Sequence, residues 1–245
     1  MGALAIPLLA ATSGRPAWGQ NNGEVFRIAF GGDSLAQGLF LTLTPVMRRD
    51  EGVRLINGTR HATGLTRSDE HDWPVVLRTL VAQQRPNLLV VWIGANDFRP
   101  FVDREARQRL AFGTEGFAQA YGSRVRRITE DSLAAGTPVA WIGLPNMRES
   151  QFANAVRTLN DIQENAAREA GAVWIPTWEA TSDEQGRFRA ALGVDQQSRR
   201  LRAEDGVHFS DLGYRRIAGL AFEQIAEADP DVGARIWNAR TVLSA

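Results

Sequence analysis

A serine stands where a short apolar run of the sequence gives way to a helical pattern. The stretch Gly32-Asp33-Ser34-Leu35 follows apolar residues at 25–30 and precedes apolar residues at helical spacing. In an open α/β protein such a junction lies at the carboxyl end of a strand, where a hydroxyl meets solvent beside the amide dipoles of a helix start. Ser34 is therefore a candidate nucleophile, although Asp and Ser at such a junction are also common helix N-caps.

A serine hydroxyl needs a base to accept its proton and an acid to hold that base in one tautomer. The chain has only three histidines, so the search for a base is short. His208 lies three residues after Asp205, just before the last helical segment, so the carboxylate can reach back to the imidazole. We expect these two residues to serve Ser34, and we expect Asp33 to organise the turn beside it.

Acyl chemistry also needs hydrogen-bond donors at the developing oxyanion. Three donors follow successive apolar runs: the backbone amides of Ser34 and Gly64 and the side-chain amide of Asn96. Glycine permits close approach of the backbone to a ligand, and asparagine offers two N–H donors without a charge. Both residue types are also common in turns, so it is their joint placement with Ser34 and His208 that favours a hydrolytic site.

Composition excludes several other chemistries. The 28 residues of the Lys+Arg class are all Arg and the chain has no Cys, which excludes Schiff-base, thiol and disulfide chemistry. An equal number of acidic residues leaves no net charge to drive binding to nucleic acid. His61, His71 and the acidic residues at 69–72 are of metal-binding type, but metal sites need ligands that converge from several segments. We therefore predict no metal and no cofactor.

The elements that must position these residues alternate between strand and helix. Apolar runs predict strands at 25–30, 53–58, 88–93, 138–144 and 172–176. Helical spacing and capping residues predict helices at 35–47, 72–84, 115–135, 151–170 and 211–226, whereas 59–70, 98–114 and 181–202 are polar or irregular. This alternation predicts a single-domain α/β fold with a five-stranded parallel sheet.

Four ordered blocks that span most of the chain resemble the SGNH hydrolases, also called GDSL esterases. The blocks are Gly32-Asp33-Ser34-Leu35, Gly64, Gly94-x-Asn96-Asp97 and Asp205-x-x-His208. The resemblance implies a flavodoxin-like three-layer α/β/α sandwich. It also implies that Ser34 is the nucleophile, that His208 is the base oriented by Asp205, and that Ser34, Gly64 and Asn96 form the oxyanion hole.

A narrower resemblance is to an exported bacterial branch of this family that is catalogued as a domain of unknown function. It rests on stretches such as 64–69, 72–74 and 201–209 and implies an envelope location but no particular substrate. Four arginines near the predicted strand ends are candidates for binding an anionic group of a substrate, and the alternative is that they form salt bridges within their loops. These candidates are Arg67, Arg99, Arg148 and Arg202.

The first residues form a separate segment. An apolar stretch at 2–11 is too short to span a bilayer and leads into small and polar residues, which is typical of an export signal. A basic start is missing, so a disordered arm is the alternative. We predict residues 1–22 as this segment, 23–228 as the hydrolase domain and 229–245 as a C-terminal surface tail. The predicted location is the bacterial periplasm or cell envelope, with no integral membrane span in the mature chain.

These observations predict a serine esterase that cleaves O-acyl esters through an acyl-enzyme. By family analogy, the substrate is a small-molecule or glycan ester, and the first substrate class to test is O-acetylated cell-envelope carbohydrate. Two alternatives stay open at this point. The same triad could transfer the acyl group to a sugar hydroxyl, or the chain could be a non-catalytic glycan-binding or scaffold module. The sequence does not determine the oligomeric state.

Overall fold

Strands and helices alternate along most of the chain. The computed structural model of the protein describes residues 25–48, 50–103, 107–192 and 199–236. In chain order the elements are β1 (Phe26–Gly32), α1 (Ser34–Met47), β2 (Val53–Thr59), α2 (Trp73–Gln84), β3 (Leu88–Trp92), β4 (Phe101–Asp103), β5 (Gln108–Leu110), α3 (Glu115–Ala134), β6 (Val139–Ile142), α4 (Ser150–Glu169), β7 (Val173–Ile175), a 3-10 turn (Glu179–Thr181), β8 (Ala191–Leu192), β9 (Arg199–Arg200), α5 (Asp211–Ala228) and α6 (Pro230–Arg235).

Five strands form a parallel sheet in the order β2-β1-β3-β6-β7. Every residue of β3 is buried, as expected for a central strand covered on both faces. Helices α1, α5 and α6 pack together in one layer, and α2, α3 and α4 pack together in another. The predicted fold class is therefore confirmed: a single α/β domain with a five-stranded parallel sheet and the flavodoxin-like strand order.

The register of the sheet brings three loops to one edge. Gly32, the last residue of β1, pairs with Thr59 at the end of β2 and with Trp92 at the end of β3. The chain therefore leaves these three strands at the same level. The segments that follow contain Ser34, Gly64 and Asn96, so the carboxyl ends of β1, β2 and β3 gather the predicted site residues at the edge where open α/β sheets bind ligands.

The structure differs from the sequence prediction in three places. The irregular segment 98–114 contains the antiparallel pair β4–β5, and the polar segment 181–202 contains the pair β8–β9. Short two-stranded ribbons of this kind carry little periodicity, so the pattern of apolar residues does not reveal them. The predicted surface tail begins instead with α6, whose Val232 packs in the core with the following Ile236. The core thus extends beyond residue 228.

Two predictions concern residues outside the described part of the chain. The export segment at 1–22 lies wholly outside it, as do residues 237–245 of the predicted tail. Among the helices that the structure describes, none combines the length and the apolar character needed to cross a bilayer.

Candidate active site

Ser34 is the first residue of α1 and is held there by the turn that precedes it. Gly32 has a φ of +137°, and a Cβ on it would lie 1.9 Å from the carbonyl oxygen of Trp92, so only glycine fits. Asp33 is the N-cap, and its Oδ1 accepts the backbone N–H of Leu35 at 2.9 Å. This geometry exposes part of the serine side chain at the end of the sheet, between strand and helix.

Asp33 also joins the end of β1 to the end of β3. Its Oδ2 accepts the backbone N–H groups of Gly94 and Ala95 at 2.9 and 3.0 Å. The carboxylate is fully buried, and burial raises its pKa to about 6 against the opposing effect of these amide donors. Asp33 therefore occupies the turn-organising position that the sequence predicts for it and does not contact His208.

The loop at residues 203–208, here called the histidine loop, carries the predicted base and acid to the serine. His208 Nε2 lies 2.7 Å from Ser34 Oγ, and His208 Nδ1 lies 2.6 Å from Asp205 Oδ2. Because the carboxylate accepts the Nδ1 proton, Nε2 is left free to accept the serine hydroxyl proton. The structure thus brings together three side chains that are 174 and 3 residues apart in sequence.

The Asp205 carboxylate is held in its ionised form. Partial burial acts to raise its pKa, but hydrogen bonds from the His208 ring and from the backbone N–H groups of Val207 and His208 outweigh that effect. Together they lower the pKa of Asp205 to about 2. Both amides donate to Oδ1, at 2.8 and 2.9 Å, which leaves Oδ2 for the imidazole. An ionised, oriented acid is what a serine–histidine pair needs.

The oxyanion-hole candidates lie on the loops after β1, β2 and β3. Within the described part of the chain, neither the N–H of Ser34 nor that of Gly64 donates to a protein acceptor. Asn96 donates one Nδ2 proton to the carbonyl of Thr63 at 2.9 Å, which orients the amide and leaves its second N–H available. Three uncommitted N–H donors therefore follow the aligned strand ends.

Asp97 organises these donors, a role that sequence reasoning missed. Its fully buried carboxylate accepts the N–H groups of Leu65 and Thr66 at 2.9 and 3.0 Å and the Thr66 hydroxyl at 2.7 Å. A Cβ on Gly64 would lie 2.1 Å from Asp97 Oδ1, so the close approach that demands this glycine is made by Asp97. Desolvation raises the pKa of Asp97, and these donors counter it.

Two further residues complete the Asp97 cluster and carry no local sequence signal. Tyr121 of α3 donates its hydroxyl to Asp97 Oδ2 at 3.0 Å, and burial raises the Tyr121 pKa well above its ordinary value, so the donor stays protonated. Gln163 of α4 donates to the Tyr121 hydroxyl at 2.9 Å and to the carbonyl of Ile93 at 2.8 Å. Helices α3 and α4 thereby support the loop that carries Asn96.

The four candidate arginines have different surroundings. Arg67 is bound by Asp69 and Glu70 at 2.8 Å each, as the salt-bridge alternative expects. Arg148 donates to the carbonyl of Glu204 at 2.6 Å, and Arg99 is exposed. The substrate-binding hypothesis is wrong for Arg202, because its side chain is buried beneath the histidine loop and faces main-chain carbonyls.

The other two histidines lie apart from this arrangement. His61 is exposed, whereas His71 is half-buried and packs edge-on against Trp73, with ring centroids 4.6 Å apart. Burial and the neighbouring Arg60 lower the pKa of His71. Within the described ranges, no three His, Asp or Glu side chains are arranged to hold a metal ion.

The fold is that of the GDSL-type esterases and lipases. A GDSL-like lipase from Bacteroides thetaiotaomicron VPI-5482 superposes with a TM-score of 0.57 at 17% identity, covering 82% of this chain and 88% of the lipase. A catalytic mutant of Axe2, an acetylxylan esterase from Geobacillus stearothermophilus, gives 0.57 at 14% identity over 84% and 96% of the two chains. The psychrotrophic esterase EstA from Pseudoalteromonas sp., inhibited by monoethylphosphonate, gives 0.52 at 14% over 82% and 97%.

The sequence itself identifies a narrower group. Residues 27–224 match the family described as protein of unknown function (DUF459), and the chain belongs to that family. No curated protein matches the sequence significantly. The resemblance to GDSL hydrolases is therefore confirmed at the level of the fold.

Proposed function

We propose that the protein is a serine esterase that cleaves O-acyl esters through an acyl-enzyme. The observation that carries the proposal is the chain of two short hydrogen bonds, 2.7 Å from Ser34 Oγ to His208 Nε2 and 2.6 Å from His208 Nδ1 to Asp205. In the first step, Ser34 Oγ attacks the ester carbonyl while His208 accepts the hydroxyl proton. The C–O bond to the alcohol then breaks, and His208 returns the proton to the leaving alkoxide.

The second half of the cycle uses the same groups in reverse. A water molecule gives a proton to His208 and attacks the acyl carbonyl, and the bond to Ser34 Oγ breaks as the serine recovers its proton. Asp205 stays ionised throughout and stabilises the imidazolium that forms in each half. The free N–H groups of Ser34 and Gly64 and the second Nδ2 proton of Asn96 would stabilise both tetrahedral oxyanions.

The substrate class we propose is an O-acetylated carbohydrate. A groove of about 620 Å³ is lined by the rings of Phe98, Phe112 and Phe152 together with polar side chains that include Gln151 and Asn154. Aromatic faces with amide and hydroxyl groups beside them suit a sugar ring, which has apolar C–H faces and a polar rim. Phe98 is half-exposed and stands two residues after Asn96, so the Cα atoms of the two residues are at most about 7 Å apart.

The reaction is tested on aryl acetates and acetylated xylo-oligosaccharides, with Ser34→Ala as the variant. We expect the wild-type protein to release acetate from both, and we expect a fluorophosphonate to add one phosphonyl group to the wild type but none to Ser34→Ala. Turnover or labelling of the variant at the wild-type rate would refute the proposed nucleophile. If added sugar accelerates the wild type and an ester accumulates instead of acetate, the protein is an O-acyltransferase.

The groove is tested separately with Phe98→Ala. Loss of one aromatic face is expected to raise KM for an acetylated oligosaccharide about ten-fold while leaving turnover of a small aryl acetate unchanged. Leu41→Ala is the matched control, since Leu41 is an exposed apolar residue of α1. Equal effects of Phe98→Ala on both substrates would place the sugar elsewhere.

We further propose that the protein is exported to the bacterial periplasm or cell envelope. The apolar segment at the start of the chain supports this location. Expression of the full chain with a C-terminal tag, followed by cell fractionation and N-terminal sequencing, tests it. A shortened chain in the envelope fraction is the expected result, and an intact chain confined to the cytoplasm would contradict export.

A further inference from the structure

Arg202 is a completely buried cation whose charge is met by main-chain carbonyls. Its Nη1 donates to the carbonyl of Asn146 at 2.6 Å, and its Nη2 donates to the carbonyls of Val207 at 2.8 Å and Gly206 at 3.3 Å. Its Nε lies 3.3 Å from the carbonyl of His208. No carboxylate forms a salt bridge with Arg202 among the described residues, and burial lowers its pKa to about 10, so it stays protonated at neutral pH.

Two aromatic rings enclose the guanidinium. Its central carbon lies 4.2 Å from the ring centroid of Phe209 and 4.8 Å from that of Phe188. Both distances are within the range of cation–π attraction, which is stronger where water is excluded. The two rings therefore restrict the position of the guanidinium, and the carbonyl acceptors restrict its rotation within the guanidinium plane. Such an environment suits the planar, multiply donating guanidinium and does not suit the compact ammonium of lysine.

Two of the carbonyls that Arg202 binds, those of Gly206 and Val207, belong to peptide groups that hold Asp205. In the peptide between Gly206 and Val207, the C=O accepts from Arg202 and the N–H donates to Asp205 Oδ1. In the next peptide, between Val207 and His208, the C=O again accepts from Arg202 and the N–H again donates to Asp205 Oδ1. Two consecutive peptide groups are thus held between a cation and an anion, with their dipoles aligned from one to the other.

We propose that Arg202 is a positioning residue that orients Asp205 and His208 toward Ser34 through these two peptide groups. The buried guanidinium fixes the carbonyl ends of the peptides, and their N–H ends then fix Asp205 Oδ1. Asp205 Oδ2 is thereby aimed at His208 Nδ1, and His208 Nε2 at Ser34 Oγ. Arg202 touches neither the substrate nor the reacting atoms. The contact to Asn146 ties the same unit to the loop after β6.

This role predicts a loss in the chemical step rather than in binding. A shift of the histidine loop by a fraction of an ångström misaligns the imidazole, and a misplacement of about 1 Å can cost about 100-fold in rate. We expect substrate affinity to be unchanged, because the Arg202 side chain is buried and its hydrogen bonds go to main-chain carbonyls. A residue that only stabilised the fold would lower the unfolding temperature and leave kcat unchanged at temperatures where the variant is folded.

The test compares Arg202→Lys with Arg200→Lys, assayed with an aryl acetate well below the unfolding temperature of each variant. Arg200 is the matched control, because it is two residues away, is exposed and pairs at the surface with the Glu204 carboxylate of the histidine loop, an ion pair that the lysine ammonium can also make. We expect Arg202→Lys to lower kcat between about 10-fold and 100-fold with KM changed by less than about two-fold. Arg200→Lys is expected to match the wild type.

A second measurement, by NMR, does not depend on turnover. It therefore tests the positioning role of Arg202 separately from the proposed esterase activity, on which the functional meaning of that role rests. Because the bond between His208 Nδ1 and Asp205 is short and charge-assisted, we expect its proton to be deshielded and to give a far-downfield NMR signal. We expect the signal in wild type and Arg200→Lys, and its loss or upfield movement in Arg202→Lys. If no substrate is turned over but the signal responds in this way, the esterase proposal fails and the positioning role stands.

A milder variant covers the case in which Arg202→Lys does not fold. Phe188→Leu removes one face of the enclosure and keeps every hydrogen bond of the guanidinium. Phe188→Leu is expected to lower kcat without a change in KM, as Arg202→Lys does, but by a smaller factor. An unchanged kcat together with an unchanged NMR signal in folded Arg202→Lys, or in Phe188→Leu where the first variant is unfolded, would overturn the proposal.

Discussion

The two sides of the candidate active site are held in place by buried ions of opposite sign. On one side, which we call the strand-end side (residues 33–34, 63–66 and 94–97), the buried carboxylates of Asp33 and Asp97 accept N–H groups from the loops after β2 and β3. On the other side, the buried guanidinium of Arg202 gathers carbonyls of the histidine loop. Ser34 belongs to the first side and His208 to the second.

The difference follows from which backbone groups each side presents. The loops that follow β2 and β3 present N–H groups to the interior, and the buried carboxylates of Asp97 and Asp33 accept them. In the histidine loop, the N–H groups of Val207 and His208 are donated to Asp205, and the carbonyls of Gly206 and Val207 accept from Arg202. Arginine suits this position because its side chain carries several N–H donors. In both regions the ion is costly to bury and is kept because it meets several otherwise unsatisfied groups. The sign of each buried charge therefore matches the backbone groups around it: carboxylates lie among N–H groups, and the guanidinium lies among carbonyls.

The largest effect on kcat is expected for Asp205, the half-exposed carboxylate of the histidine loop. In Asp205→Asn, the amide oxygen must face the Val207 and His208 N–H groups, so its NH₂ points at His208 Nδ1 and selects the wrong tautomer. We expect kcat to fall about 10⁴-fold, with little change in stability because Asp205 is half-exposed. Steady-state kinetics and thermal unfolding measure the two quantities. Asp211→Asn, a surface pair partner on α5, is the control, and a fall below about ten-fold would contradict the role of Asp205.

The next largest effect is expected on the strand-end side. Asn96→Ala removes one oxyanion donor, and such a loss costs about 100-fold to 1000-fold in kcat with little change in KM. Asn87 gives a matched control because it precedes β3, at the opposite end of the strand that Asn96 follows, and accepts the N–H of Arg27. Asn87→Ala is expected to affect stability only. Equal kcat values for the two variants would remove Asn96 from the oxyanion hole.

The charge of the buried Asp33 carboxyl group on the strand-end side is tested through the pH dependence of protein stability. The folded pKa of Asp33 is about 6, above its ordinary 3.8, so between these values the folded protein holds a proton that the unfolded chain has released. This group's contribution to the unfolding free energy is therefore full below about pH 4 and falls by roughly 3 kcal/mol as the pH rises past 6.

Urea unfolding of wild type and Asp33→Asn at pH 4 and pH 7 measures this effect. The asparagine does not titrate, so the stability difference between the two proteins isolates the carboxyl group from the rest of the chain. We expect the unfolding free energy of the wild type to fall relative to that of Asp33→Asn as the pH rises from 4 to 7. A constant difference, or one that moves the other way, would mean that the amide donors outweigh burial.

The smallest effect is expected for an arginine of the strand-end loops. Arg67 is partly exposed and paired with Asp69 and Glu70, in contrast to the buried Arg202. Arg67→Gln is expected to change the unfolding free energy by less than about 1 kcal/mol, since exposed ion pairs contribute little. Its kinetics on neutral and acidic esters should equal those of the wild type. A loss of activity on acidic esters alone would instead support the hypothesis that Arg67 binds an anionic group of the substrate.

Local signals in the sequence were sufficient to predict much of the fold and to propose the candidate site residues. The continuous apolarity of β3 and the capping residues of α1 and α5 predicted those elements to within two residues of their observed ends. The β4–β5 pair and α6 were missed because each is short and depends on contacts with distant segments. Arg202 was misassigned because its sequence neighbourhood resembles an exposed loop, and only tertiary packing places it under Phe188 and Phe209.

The sequence by itself determined the order of the elements and the parallel sheet, and it proposed candidates for the nucleophile, base, acid and oxyanion donors, because hydrophobic periodicity and motif spacing are local properties. The tertiary structure decided what holds them in place. The partners of Asp33 and Asp97 come from loops about 30 to 60 residues away, and the register of the strands selects them. The guanidinium of Arg202 is buried because the histidine loop folds its carbonyls inward, a consequence of bonds to Asp205 that no periodicity encodes.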